Sequence, residues 1–128
     1  NQYNLSSSFL ITGWVDNPIA YMKIMDVGML LSRWEGFGLV LPEYMACGVP
    51  IVATNVDAIP NIIQNDKNGL LVKKDNYRQS ANETITLHDN FGESNKITKN
   101  ALQYVNNKFD GKRLANESMN LYKNYENN

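Results

Sequence analysis

Ser32-Arg33-Trp34-Glu35-Gly36-Phe37-Gly38-Leu39-Val40-Leu41-Pro42-Glu43-Tyr44-Met45-Ala46-Cys47-Gly48-Val49-Pro50 follows directly on the apolar run Val27–Leu31. The run has the length and composition of a buried strand. Glu35-Gly36-Phe37-Gly38 then forms a glycine-containing loop, Leu39–Cys47 reads as a helix, and Gly48 is a natural helix terminator. A strand, a glycine loop and a helix in this order put free backbone N–H groups and the positive helix end at one edge of a sheet. Such an edge attracts anions, phosphate above all.

The same alternation extends outward. Phe9–Thr12, closed by Gly13, reads as a buried strand. Asn17 is a cap with Pro18 at the first helical position, so Ile19–Met25 reads as a short helix. Pro50–Thr54 is a further strand, Ile59–Gln64 one or two helical turns, Asn68-Gly69 a turn, and Leu70–Val72 a last short strand. Short apolar strands alternating with helices predict an α/β fold, a parallel sheet covered by helices on both faces. Residues 1–74 form this core. Residues 75–128 are polar and carry no strand signal. Ala101, Leu102, Val105 and Phe109, then Leu114, Met119, Leu121, Tyr122 and Tyr125, recur at helical spacing and predict two or three amphipathic helices.

Composition excludes several functions. Of 128 residues, 43% are hydrophobic and 20% charged, with a net charge of -1 and basic residues only in short pairs such as Lys73-Lys74 and Lys112-Arg113. A nucleic-acid footprint needs a clustered basic excess, so none is expected. No apolar run is long enough to span a bilayer. Cys47 is the only cysteine and has no internal partner, which fits a reducing compartment.

Glu35 and Glu43 flank the anion edge. Carboxylates repel phosphate but accept hydrogen bonds from hydroxyl groups. A ligand with a diphosphate between two polyhydroxyl rings suits both: phosphates at the helix end, a sugar at Glu35, a ribose at Glu43. That ligand is a nucleotide diphosphate sugar.

Seven residues separate Glu35 from Glu43, with Glu-Gly-Phe-Gly-Leu at the first and Glu-Tyr-Met-Ala-Cys-Gly-Val-Pro-Ile-Val-Ala at the second. This resembles the Glu-x(7)-Glu motif of glycosyltransferase family 4, retaining enzymes of the GT-B fold. The resemblance covers about residues 9–72. It implies the C-terminal, donor-binding half of that fold, a Rossmann-like parallel sheet with flanking helices, truncated at its N-terminal side. Glu43 would bind ribose hydroxyls, and Glu35 donor-sugar hydroxyls near the reacting carbon. The amides of Gly36, Phe37, Gly38 and Leu39 would face the diphosphate or the sugar, and Gly13–Val15 would border the base. No metal and no other cofactor is expected. The acceptor, a carbohydrate or a lipid-linked sugar, would belong to an N-terminal domain. The resemblance implies a cytoplasmic enzyme of polysaccharide biosynthesis, with peripheral contact at the inner face of the membrane left open.

The chain departs from the family in two places. Asp57-Ala58-Ile59-Pro60-Asn61 stands where two glycines and a Pro-Glu are common. The two strands expected before Phe9, with an Arg and a Lys for the diphosphate, have no counterpart, and Arg33 lies too near a strand end to replace them. In the family's strand order 3-2-1-4-5-6, those strands would separate Phe9–Thr12 from Val27–Leu31. Phe9–Val15 is therefore expected to be poorly anchored, or the chain to pack differently. The competing readings are another GT-B enzyme, such as a sugar-nucleotide epimerase, and an inactive fragment or non-catalytic binding module. His88, Cys47, Trp14 and Trp34 carry no chemistry in this reading, and Phe37 packs beneath its loop.

Overall fold

A computed structural model of the chain describes residues 5–126. The side chains of Leu114, Leu121 and Tyr125 lie outside the described residues, so their places on the last helix are left aside. After a single 3-10 turn at Ser6–Ser8, the order is α1 (Pro18–Met22), β1 (Gly28–Leu30), α2 (Val40–Cys47), β2 (Ile51–Thr54), α3 (Ile59–Ile62), β3 (Leu70–Val72), α4 (Tyr77–Asp89), α5 (Phe91–Lys108) and α6 (Gly111–Glu126). The three strands form one parallel sheet in the order β1-β2-β3. Gly28, Met29 and Leu30 pair with Ile51, Val52 and Ala53, and Val52, Ala53 and Thr54 with Leu70, Leu71 and Val72.

β2 is buried on both faces, as an all-apolar central strand requires. Its period of two divides the core. Ile51 and Ala53 join Leu41, Tyr44 and Met45 of α2 with Ala101 and Val105 of α5. Val52 points the other way and meets Leu70, Val72, Leu87 of α4 and Ile97. Deleting a side chain as enclosed as Leu41, which is 0% exposed, typically costs about 3–5 kcal/mol.

The local signals worked as capping chemistry dictates. Asn17 Oδ1 accepts from the Ala20 amide at the start of α1, with Pro18 at the first helical position. Gly48 ends α2 in the left-handed conformation, φ 73°. Several elements are shorter than expected. β2 begins at Ile51 because Pro50 has no N–H to donate. α3 stops at Ile62, and the Asn68 side chain takes over, accepting from the Gln64 amide at 2.7 Å and donating to the Ile62 carbonyl at 3.1 Å. α1 stops at Met22, where the Ile24 and Met25 amides tighten onto the Tyr21 and Met22 carbonyls.

The buried strand expected at Phe9–Thr12 does not form. The segment is unpaired, with Leu10 84% and Ile11 92% exposed. A strand is stable only beside another strand, and β1 does not pair with this segment. Of the two outcomes expected for Phe9–Val15, poor anchoring is the one observed.

Candidate functional site

The loop between β1 and α2 opens at the carboxyl edge of the sheet, where parallel α/β folds hold their ligands. Its floor is set by Thr54 at the end of β2. The buried Thr54 hydroxyl donates to the Ser32 carbonyl at 2.6 Å, fastening the chain that leaves β1 to the neighbouring strand. The Ser32 hydroxyl donates in turn to Glu35 Oε2 at 3.1 Å, which fixes the half-buried Glu35 carboxylate over the sheet. The Glu35 amide donates to Asp57 Oδ2 at 2.9 Å, a contact from the loop after β2.

Beyond Glu35 the backbone amides of Gly36, Phe37, Gly38 and Leu39 donate no hydrogen bond among the described residues. Leu39 occupies the cap position of α2, and no side chain caps the helix. A row of open amides therefore runs into the positive end of α2. Gly38 has φ 77°, and a Cβ there would lie 3.2 Å from Leu41 and 3.4 Å from both Glu35 and Leu30. Backbone conformation and packing both demand glycine. Above Gly36 the space a side chain would fill is empty. Glu43 stands exposed in the first turn of α2. Along the chain, Glu35 precedes the amide row and Glu43 follows it.

Phe37 meets Phe109 edge-to-face, ring centroids 6.4 Å apart, and Phe109 lies against Tyr104. The Tyr104 hydroxyl donates to the Asn61 carbonyl at 3.1 Å. Tyr104 and Phe109 thus link the end of α5 to α3 and to the β1–α2 loop.

Gly13 has φ 64° and stands in open space, while Val15 is half-buried. No hydrogen bond joins Gly13–Val15 to the Glu35–Leu39 loop among the described residues. Arg33 pairs with Asp75 at 2.9 Å, which turns its guanidinium toward the end of β3. There a cleft of about 440 Å³ is lined by Lys73, Lys74, Asp75, Asn76, Tyr77 and Arg78. His88 is remote from the loop and borders a cleft of about 340 Å³ with Met25, Asp26 and Val27 at the amino end of β1. Its hydrogen bond to Asp89, reinforced by that residue's charge, raises its pKa above the ordinary 6.5. Burial, and secondarily the charge of Glu43, raises Tyr44 above the ordinary 10.0, so its phenol stays neutral.

Residues 1–104 match the family described as glycosyl transferases group 1. The chain belongs to that family. It is 38% identical over 96 residues to the N-acetyl-alpha-D-glucosaminyl L-malate synthase of Bacillus anthracis, a match covering 70% of the chain and 25% of the synthase. The C-terminal domain of a glycosyl transferase group 1 protein, LpcC of Francisella tularensis, superposes with a TM-score of 0.68 at 31% identity, covering 79% of the chain and 51% of that structure. The Anabaena protein Alr3699/HepE, solved in complex with UDP, superposes with a TM-score of 0.91 over 96% of the chain and 34% of its own, at 22% identity, a likeness of fold. The parallel sheet with its flanking helices is thus the α/β arrangement of GT-B glycosyltransferases. The chain spans only about a quarter to a third of the curated relatives' length. Among the described residues, no helix of this group 1 chain is long and apolar enough to cross a membrane.

The sequence reading overlooked Ser32, Thr54 and Asp57. Asp57 had a usable signal: an aspartate in place of a glycine is one of the few residues that tolerates a left-handed φ, and here φ is 44°.

Proposed function

We propose that this chain supplies part of the donor site of a retaining glycosyltransferase, which moves a sugar from a nucleotide diphosphate sugar to a carbohydrate or lipid-linked acceptor. One observation carries the reading. Open amides from Gly36 to Leu39 lead into an uncapped helix end, with Glu35 before them in the chain and Glu43 in the helix's first turn. In this reading the diphosphate lies on the amides, the ribose hydroxyls donate to Glu43, and the transferred sugar's hydroxyls donate to Glu35. Gly13–Val15 borders the base.

The chemistry follows from what such a site stabilises. As the bond from the anomeric carbon to the phosphate oxygen breaks, negative charge grows on the nucleoside diphosphate. Amides already aimed at that charge stabilise it without reorganising. The acceptor hydroxyl attacks from the face the phosphate leaves, and the departing phosphate oxygen takes its proton. The site contributes no protein nucleophile, and the mechanism assigned here uses no metal. The Anabaena protein, solved in complex with UDP on the same fold, supports a nucleoside diphosphate as ligand.

Calorimetry with UDP, GDP and ADP tests the reading. One of them should bind best, and Glu43→Ala should weaken it about 10- to 100-fold, the equivalent of losing a charged hydrogen bond of about 1.5–3 kcal/mol. Glu35→Ala should reduce transfer more than nucleotide affinity. Equal loss of nucleotide affinity in both variants would contradict the separate roles.

A further inference from the structure

We infer that Asp57 is a positioning residue for Glu35; this rests on the donor-site reading above. Asp57 reaches the loop's backbone from the β2–α3 connection, its Oδ2 accepting from the Glu35 amide at 2.9 Å across 22 residues of sequence. Glu35 is thereby held twice, at its N–H by Asp57 and at its carboxylate by the Ser32 hydroxyl, which is itself tied to Thr54. Releasing the amide frees the peptide plane between Trp34 and Glu35 to turn, and the carboxylate moves with it.

The support for Asp57 is rigid. It lies three residues after buried Thr54 and two before Ile59, which is 0% exposed. The turn between them is closed by the Val56 amide on the Thr54 carbonyl and the Ile59 amide on the Val56 carbonyl, each at 3.0 Å. Within it Asp57 adopts φ 44°, a conformation glycine would occupy without strain. Strain of this kind persists where the surroundings impose it, and it concentrates at functional sites. What the aspartate contributes that glycine cannot is the acceptor oxygen, and the structure directs that oxygen at Glu35. Asp57 also leaves the amides of Gly36–Leu39 untouched, so it sets the carboxylate without occupying the anion row.

The inference separates backbone from acceptor, and so does its test. Asp57→Gly keeps the backbone conformation and removes the acceptor. Asp57→Asn keeps an acceptor oxygen. Both are made in the protein expressed from its native reading frame, alone and together with Glu35→Gln. Four quantities are measured: melting temperature, hydrogen exchange of the Glu35 amide, affinity for the preferred nucleoside diphosphate, and kcat for transfer. For Asp57→Gly the expected results are an unchanged or higher melting temperature, faster exchange at Glu35, nucleotide affinity within about twofold, and kcat down on the order of 10- to 100-fold, as misplacing a reacting group does. Asp57→Asn should restore kcat to within about threefold. Added to Glu35→Gln, Asp57→Gly should cost no more than about a further twofold, since the two act through one group. Native kcat in Asp57→Gly, a fully additive loss with Glu35→Gln, or a melting temperature that falls in step with activity would each overturn the inference. If Glu35→Gln leaves transfer intact, the donor-site reading itself fails and the role of Asp57 with it. If Glu35→Gln is impaired while Asp57→Gly is not, only the positioning role fails.

Discussion

Gly28→Ala is a substitution that composition alone would count as harmless, since alanine suits a strand better than glycine does. The structure opposes it. A Cβ on Gly28 would lie 2.9 Å from Cδ2 and Cγ of Tyr44 and 3.0 Å from Cε2, against the flat of the ring. Carbon atoms prefer about 3.5–4.0 Å, so the ring must retreat by roughly half an ångström or more. Tyr44 is only 9% exposed and packs in the same cluster as Leu41, Met45 and Ile51, which leaves it little room. Overpacking of this kind costs about 1–3 kcal/mol. Losing a glycine from the unfolded chain offsets about 0.4–1 kcal/mol of that. The net expectation is a loss of about 1–2 kcal/mol, or roughly 3–10 °C in melting temperature for a chain of this size. Urea unfolding followed by far-ultraviolet circular dichroism measures it, with an unchanged slope marking a true stability effect. Tyr44→Leu should make the two changes less than additive, because the smaller side chain vacates the space. Tyr44 directly follows Glu43 on α2, so the retreat should also weaken nucleotide binding. A Gly28→Ala protein as stable as the native one would refute the contact between β1 and α2 as drawn.

Two further expectations concern the sheet edge and the pH response. Thr54→Val keeps the branched shape but removes the hydroxyl that holds the Ser32 carbonyl at 2.6 Å; a loss of about 1 kcal/mol in the same unfolding assay is expected. Unchanged stability would mean the clamp contributes nothing. For His88 the hydrogen bond to Asp89 raises the folded-state pKa above the ordinary 6.5. The sign follows: any stabilisation is fully present below about pH 6.5 and fades as pH rises through the raised folded value. Both side chains are exposed, so the effect is best read as a nuclear magnetic resonance titration of the imidazole. Its midpoint should fall in Asp89→Asn, and a midpoint that does not move would assign the shift to another cause.

Much of the layout was legible because it depends on local chemistry. Asn17 and Pro18 start α1, Gly48 ends α2, and the apolar runs Val27–Leu31, Pro50–Thr54 and Leu70–Val72 hold the three strands in the expected parallel order. The Glu35–Glu43 stretch could be read as strand, loop and helix for the same reason: each step has its own short-range signal. Phe9–Thr12 misled because an apolar run announces a need for burial and not the neighbour that would satisfy it. The partners of Tyr104 and Phe109 were not legible. Their spacing announced a helix face, and only the packed molecule brings that face onto Asn61 and Phe37.

Asp57 marks the boundary most sharply. Residue order along the chain was enough to establish the family, the parallel α/β arrangement and the pair of glutamates, because motif spacing and strand–helix alternation are written over short distances. It could not reveal that an apparent departure, an aspartate where glycine is common, lends its carboxylate to the Glu35 amide. Nor could it reveal that Thr54 fastens Ser32, or that Tyr44 covers Gly28. Those contacts join residues about 16 to 22 positions apart, and their existence depends on how strands register and helices pack. Folding brings such groups together as a collective result of burying one core, which no local pattern encodes.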